Sequence, residues 1–210
     1  MPNPRFDPTK AVTFDLEHGL VQREGAPPTV LVPHGGLLAL CAAAGQEAAA
    51  VFGRAVGAAM GGRVALRLLR AETAESTRAT ASTAGPALVR EASIDAVVDH
   101  LGGELALGGF GSLALERWGR ALVLLIDHAP LGAAGDVLLE AILEGAVAAA
   151  AGRSVRVLLL GREQTRARFF VGSDVALQRL RGWMAAGTSW GEALVRLHGA
   201  TTTAAARGDA

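Results

Sequence analysis

Thiols are almost missing from this 210-residue chain: Cys41 stands alone. One cysteine allows no disulfide within the chain and no thiolate zinc cage. Net charge is also missing, because 20 basic and 20 acidic residues cancel. The one lysine and nineteen arginines are spread along the chain, with only a loose group at Arg162, Arg166 and Arg168. The basic excess of a nucleic-acid binder is therefore lacking. No apolar run is long and clean enough to span a bilayer. The window 37–62 contains Gln46, Glu47 and Arg54, and the shorter window 137–151 contains Glu140 and Glu144. A charge at the centre of a spanning helix costs about 2.5–3.5 kcal/mol. The opening MPNPRFDPTK is polar and proline-rich, unlike a secretory signal, so the expected location is cytoplasmic. The glycine run 108–111 lacks both the Walker lysine and dinucleotide spacing, and no serine sits in G-x-S-x-G. His18, His34, His100, His128 and His198 form no pair at i+2 or i+4, so neither a metal site nor a cofactor is expected.

What the chain does have is a core. Half of its residues are hydrophobic, enough for a single α/β domain of the α+β type, with a small, mostly antiparallel sheet under several helices. The expected boundaries are an N-terminal tail at 1–11, the domain at 12–200 and a disordered tail at 201–210. Residues 71–91 are small, polar and patternless and are expected to form a mobile loop. Strands are expected at 12–16 and 29–32, separated by turn residues at 23–28. A long helix follows at 36–61, burying Leu37, Leu40, Cys41, Ala44, Ala48, Val51, Phe52, Ala55 and Ala59. The same helix carries Gly45, Ala49, Gly53, Gly57 and Gly61 four residues apart. Small residues at that spacing admit another backbone closely, either within the chain or in a dimer.

Ser93 is read as the cap of a helix at 94–107, with Ile94, Val97, Val98, Leu101 and Leu105 on one face. Residues 113–118 and 121–127 form a hairpin through Gly119 and Arg120. The helix at 136–151 is apolar nearly all round, and Glu140 and Glu144 are read as its one wet edge. Strands at 155–160 and 168–171 form a second hairpin. Asp174 is expected to cap a helix at 175–185, and Ser189 opens a last one at 189–198.

From residue 48 to 171 this order resembles the four-vinyl-reductase-like domain family, which is related to the small core subunits of the TRAPP vesicle-tethering complex. The matching pieces are GRAVGAAMGG at 53–62, IDAVVDHLGGELALGGFG at 94–111, LALERWGRALVLLID at 113–127 and, most strongly, EGAVAAAAGRSVRVLLL at 144–160. The resemblance implies a mixed α/β domain, often dimeric, that holds a hydrophobic small molecule as a sensory or binding module. Bacterial members often carry cysteines around the last helix and final hairpin. This chain has none there and places Arg162 and Arg168 nearby, so metal or thiol chemistry is not carried over.

The leading expectation is a non-catalytic module binding a hydrophobic small molecule, a protein partner, or both, in a sensory or regulatory role. Phe52, Phe110, Trp118, His128 and Leu143 are the candidate ligand-binding residues, and Gly53, Gly57, Gly61 and Val147 the candidate dimer interface. A structural adaptor with no ligand is the first alternative. The second is an enzyme acting on a small apolar substrate, with His128 and a glutamate as acid and base. Against that stands the simpler reading of His128 as a loop histidine beside a capping aspartate.

Overall fold

The computed structural model describes residues 5–24, 26–76, 94–119 and 121–205. Part of the expected N-terminal tail is ordered into α1 (Pro8–Ala11), whose cap Asp7 accepts the Thr9 N–H at 3.0 Å. A first antiparallel sheet follows: β1 (Val12–Asp15), β2 (Leu20–Arg23) and β3 (Pro28–Thr29), in that order. β2 lies just before the expected turn. Pro27 and Pro28 lack N–H donors, which limits β3 to a short edge. Val30, Leu31 and Val32, expected as strand, leave the sheet and stand exposed.

Gly45 divides the helix expected at 36–61. Its backbone sits at φ +86°, a conformation glycine adopts without steric cost, and its N–H donates to the Cys41 carbonyl at 3.0 Å. The result is α2 (His34–Ala44) and a 31-residue α3 (Gln46–Ser76). α3 thus takes in the start of the stretch expected as a loop; residues 77–91 of that stretch lie outside the described residues.

α4 (Ile94–Leu107) matches its expected span, while Ser93, read as its cap, also lies outside the described residues. Then come β4 (Ser112–Trp118), β5 (Ala121–Asp127), α5 (Asp136–Ala151), β6 (Arg156–Glu163), β7 (Arg166–Gly172), α6 (Asp174–Ala185) and α7 (Trp190–Ala205). Ser173, not Asp174, caps α6 by accepting the Ala176 N–H. Ser189 and Glu192 form a reciprocal capping box at the start of α7. α7 runs past its expected end, and of the expected C-terminal tail only 206–210 lie outside the described residues.

The second sheet has the order β4-β5-β7-β6 with every neighbouring pair antiparallel. Strand side chains alternate between faces, and here both faces are covered. Leu124, Ile126, Val157 and Phe169 join the core made with α3, α4 and α5. Val123, Leu158, Leu160 and Phe170 pack instead against α6 and α7. No helix among the described residues is long and apolar enough to cross a membrane.

Two readings of helix faces are corrected. α3 does not bury Val51, Phe52, Ala55 and Ala59; it buries Ala49, Gly53, Gly57, Met60, Gly61, Val64 and Leu68. The glycine face wins because it lets the α3 backbone meet α5. A Cβ on Gly53 would fall 2.8 Å from the Ala141 Cβ, and one on Gly61 only 2.1 Å from the Ala146 carbonyl oxygen. The meeting is reciprocal, since a Cβ on Gly145 would lie 2.3 Å from the Arg54 carbonyl oxygen.

Nor are Glu140 and Glu144 a wet edge. β6 is an edge strand whose outward N–H groups need acceptors. Glu144 accepts from the Val157 N–H at 3.2 Å, and Glu140 from the Leu159 N–H at 2.8 Å. Residues four apart on a helix are separated by about 6 Å along its axis, and residues two apart on a strand by about 6.6 Å, so the two spacings match. Arg156 and Arg181 complete these carboxylates' contacts. Glu144→Ala, which leaves the Val157 N–H without its acceptor, is expected to lower the unfolding free energy by about 2 kcal/mol. Chemical denaturation measures this, and an unchanged midpoint would show that water serves the edge equally well.

Candidate functional site

A cleft of about 540 Å³ opens between the first sheet and the helices. One wall is Thr29 and the exposed stretch Val30–Val32, with His34 and Leu37 of α2. The opposite wall is α3, presenting Phe52, Val56 and Ala59 from the side away from the glycine stripe and reaching in to the edge of the buried Met60. Leu107 at the end of α4, the loop 108–110 that ends in Phe110, and the pair Pro130 and Leu131 close the remaining side. This wall exists because of the glycine stripe. With its small residues committed to α5, α3 is left to turn its larger apolar side chains toward the cleft.

Arg23 of β2 and Arg63 of α3 also line the cleft. Both are anchored on Glu104 of α4, which is wholly buried. Arg63 donates to Glu104 Oε2 from Nε at 3.0 Å and from Nη2 at 2.7 Å; Arg23 Nη1 reaches the same oxygen at 3.2 Å. Arg67 Nη1 pairs with Oε1 at 2.7 Å. Glu24 then bridges Arg67 and Arg70. Burial alone would raise the Glu104 pKa, but the hydrogen bonds and charges of Arg63 and Arg67 outweigh it and hold this carboxyl below the ordinary range. Phe6 covers the cluster from the N-terminal side, its ring 5.0 Å from the Arg67 guanidinium. The same ring fills the space where a Cβ on Gly103 would stand, which accounts for a glycine in the middle of α4.

Of the five candidate ligand-binding residues, Phe52 and Phe110 converge on this cleft. Leu143 is fully buried in the core. Trp118 lies at the end of β4, edge-on to Trp190 with ring centroids 5.0 Å apart. His128 is exposed, at φ 55°, and its N–H donates to Asp127 Oδ1 at 2.9 Å. Arg166, followed by that N–H, holds the Asp127 carboxyl below its usual range. Neither His128 nor Glu140 lines the cleft, so the acid and base proposed for an enzyme are not brought together there. Among the described residues, no group of three or more His, Cys, Asp or Glu is placed to hold a metal ion. Arg162 pairs with Asp136, and Arg168 with Glu116 and Glu163. Gly53, Gly57 and Gly61 face the chain's own α5, and Val147 packs against the same core, so the face considered for a second copy is already occupied.

No family model matches the chain, and no curated protein does. Among solved structures it is similar to the crystal structure of the phenol-responsive sensory domain of the transcription activator PoxR with phenol. The two share 16% identity at a TM-score of 0.48, with 90% of this chain and 92% of that one covered. The likeness is a distant one. The resemblance to the four-vinyl-reductase-like family rests on the sequence motifs alone.

Reasoning from sequence missed Glu104 and its arginines. The signal was a carboxylate on the apolar face of α4, flanked by Leu101 and Leu105, together with Arg63, Arg67 and Arg70 at helical spacing on α3.

Proposed function

We propose that this chain is a non-catalytic binding module whose cleft holds a small, largely apolar molecule in a sensory or regulatory role. The observation that carries this reading is the cleft itself. Its volume lies in the range of small-molecule sites, and its walls are mostly aliphatic and aromatic with a few polar groups among them. A ligand there would bury Val30, Leu31 and Phe52, which are otherwise left in water. It would also join the first sheet and α2 to α3, which is how binding would reach the rest of the molecule.

Native mass spectrometry of protein purified gently from its host tests this. A bound small-molecule mass is expected on the native chain, and Val56→Trp, which fills the cleft from the α3 wall, is expected to abolish it without lowering the thermal midpoint. A native chain that carries no such mass would defeat the reading.

A second reading, assembly as a homodimer, is favoured by α2. None of its residues is fully buried, and its sequence HGGLLALCAAA contains no carboxylate, lysine or arginine, with Leu40 64% exposed. The same mass spectrum counts subunits, and a monomer at micromolar concentration would rule this reading out.

A further inference from the structure

We infer that the cleft selects ligands bearing an acidic head, a carboxylate or similar small anion on an apolar body, with Arg23 and Arg63 receiving the head. This rests on the cleft being a ligand site, as proposed above, and adds the chemistry of what enters it.

The arginines around Glu104 outnumber what that carboxylate can accept. A carboxylate offers about four lone-pair sites, and each guanidinium brings five N–H donors. Glu104 Oε2 already receives Arg23 Nη1 and two nitrogens of Arg63, while Oε1 faces Arg67. Oε2 is therefore fully occupied, while Oε1 lies buried against the Arg67 charge, within the cluster, without an aligned hydrogen bond. Among the described residues, no hydrogen bond engages Arg63 Nη1 or the Nε and Nη2 of Arg23, and both side chains line the cleft. No Asp or Glu among the described residues lines it.

The charge balance points the same way. Arg23, Arg63 and Arg67 all meet on the single carboxylate of Glu104, and Glu24, the other carboxylate that reaches them, is shared with Arg70, so guanidiniums outnumber carboxylates here. The guanidinium of Arg23 feels this excess. Burial, together with the like charges of Arg63 and Arg67, holds its pKa below the ordinary arginine value despite the nearness of Glu104. An anion arriving at the cleft end of the cluster would relieve that repulsion. It would also gain charge-assisted hydrogen bonds in a place partly shielded from water. Meanwhile Phe52, Val56, Phe110 and Leu131 offer the apolar body its wall.

The test uses three probes of one shape on the full chain, followed by isothermal titration calorimetry: 4-phenylbutanoate, 4-phenylbutan-1-ol and 4-phenylbutylamine. The expected order is acid, then alcohol, then amine, with the acid bound at least about tenfold more tightly than the alcohol. Arg63→Gln is expected to reduce the acid's advantage over the alcohol to about twofold or less. Because Arg63 also holds Glu104, that variant is read only where circular dichroism shows it folded; the comparison of the three probes on the native chain needs no variant. Equal binding of acid and alcohol would overturn the acidic-head inference and leave the cleft as a ligand site. Failure of both to bind would overturn the two together.

Discussion

Gly57→Ala is expected to destabilise the fold by about 3 kcal/mol, although alanine is the better helix former by about 1 kcal/mol. The sign is set by backbone. A Cβ at position 57 would fall 2.0 Å from the Ile142 carbonyl oxygen and 2.9 Å from the Ala146 nitrogen, and neither atom can turn aside as a side chain would. Helices separated by ordinary side chains sit about 8–10 Å apart; here the glycines remove that spacer, and α3 must back away from α5 if one is restored. Gly62 supplies the control. No atom of the described residues lies within 4 Å of its added Cβ, so Gly62→Ala is expected to raise stability by about 0.5–1 kcal/mol. Urea denaturation of the pair measures both signs. Shaving Ala146 to glycine in the Gly57→Ala background is expected to restore little, because the clash at 57 is with main chain. Two variants of equal stability would show that the stripe is compositional drift and not a contact. Since α3 presents Phe52 and Val56 to the cleft from its far side, Gly57→Ala is also expected to weaken any ligand of the cleft.

The same glycines show how far the sequence could be read. Their spacing at 53, 57 and 61 pointed to a close backbone approach, and the approach is there. Periodicity does not say which helix arrives, so a second copy stayed open beside close packing within the chain. It also misjudged the buried face of α3, because hydrophobic size favours Val51 and Phe52 over glycine as core. Burial follows contact area, and a glycine face can win by bringing a whole helix nearer. The hairpin 112–127 and α5 were legible because strong apolar runs end at glycine on a clear local signal. The break at Gly45 was not legible in the same way, since helical spacing continues across it while the backbone turns left-handed. Phe52 and Phe110 could be singled out as large apolar side chains near glycines. The arginines beside them could not, because Arg23, Arg63 and Glu104 are brought together from β2, α3 and α4, and local patterns do not reach across that separation.

Glu104→Gln carries the other large effect, and it probes the cluster without changing its shape. The amide fills the same space but removes the one carboxylate on which Arg23, Arg63 and Arg67 meet. Those three side chains are about nine-tenths buried, so water replaces little of the lost attraction. Breaking one side of a buried ion cluster costs about 3–5 kcal/mol, and that loss is expected at pH 7 by urea denaturation. The pH dependence separates charge from packing. The folded-state pKa of Glu104 is depressed, so its contribution is full above its unfolded value, near 4.5, and is lost as pH falls from there through the folded pKa. The native chain should therefore lose stability across that acid window more steeply than Glu104→Gln, and the two curves should converge at low pH. Asp7 and Asp127, also held below their usual range, titrate in both proteins and cancel in the difference. Parallel curves from pH 7 down to pH 3 would mean that Glu104 is held by shape and not by charge. The arginine excess at the cleft would then lose the anchor from which its preference for an acidic ligand follows.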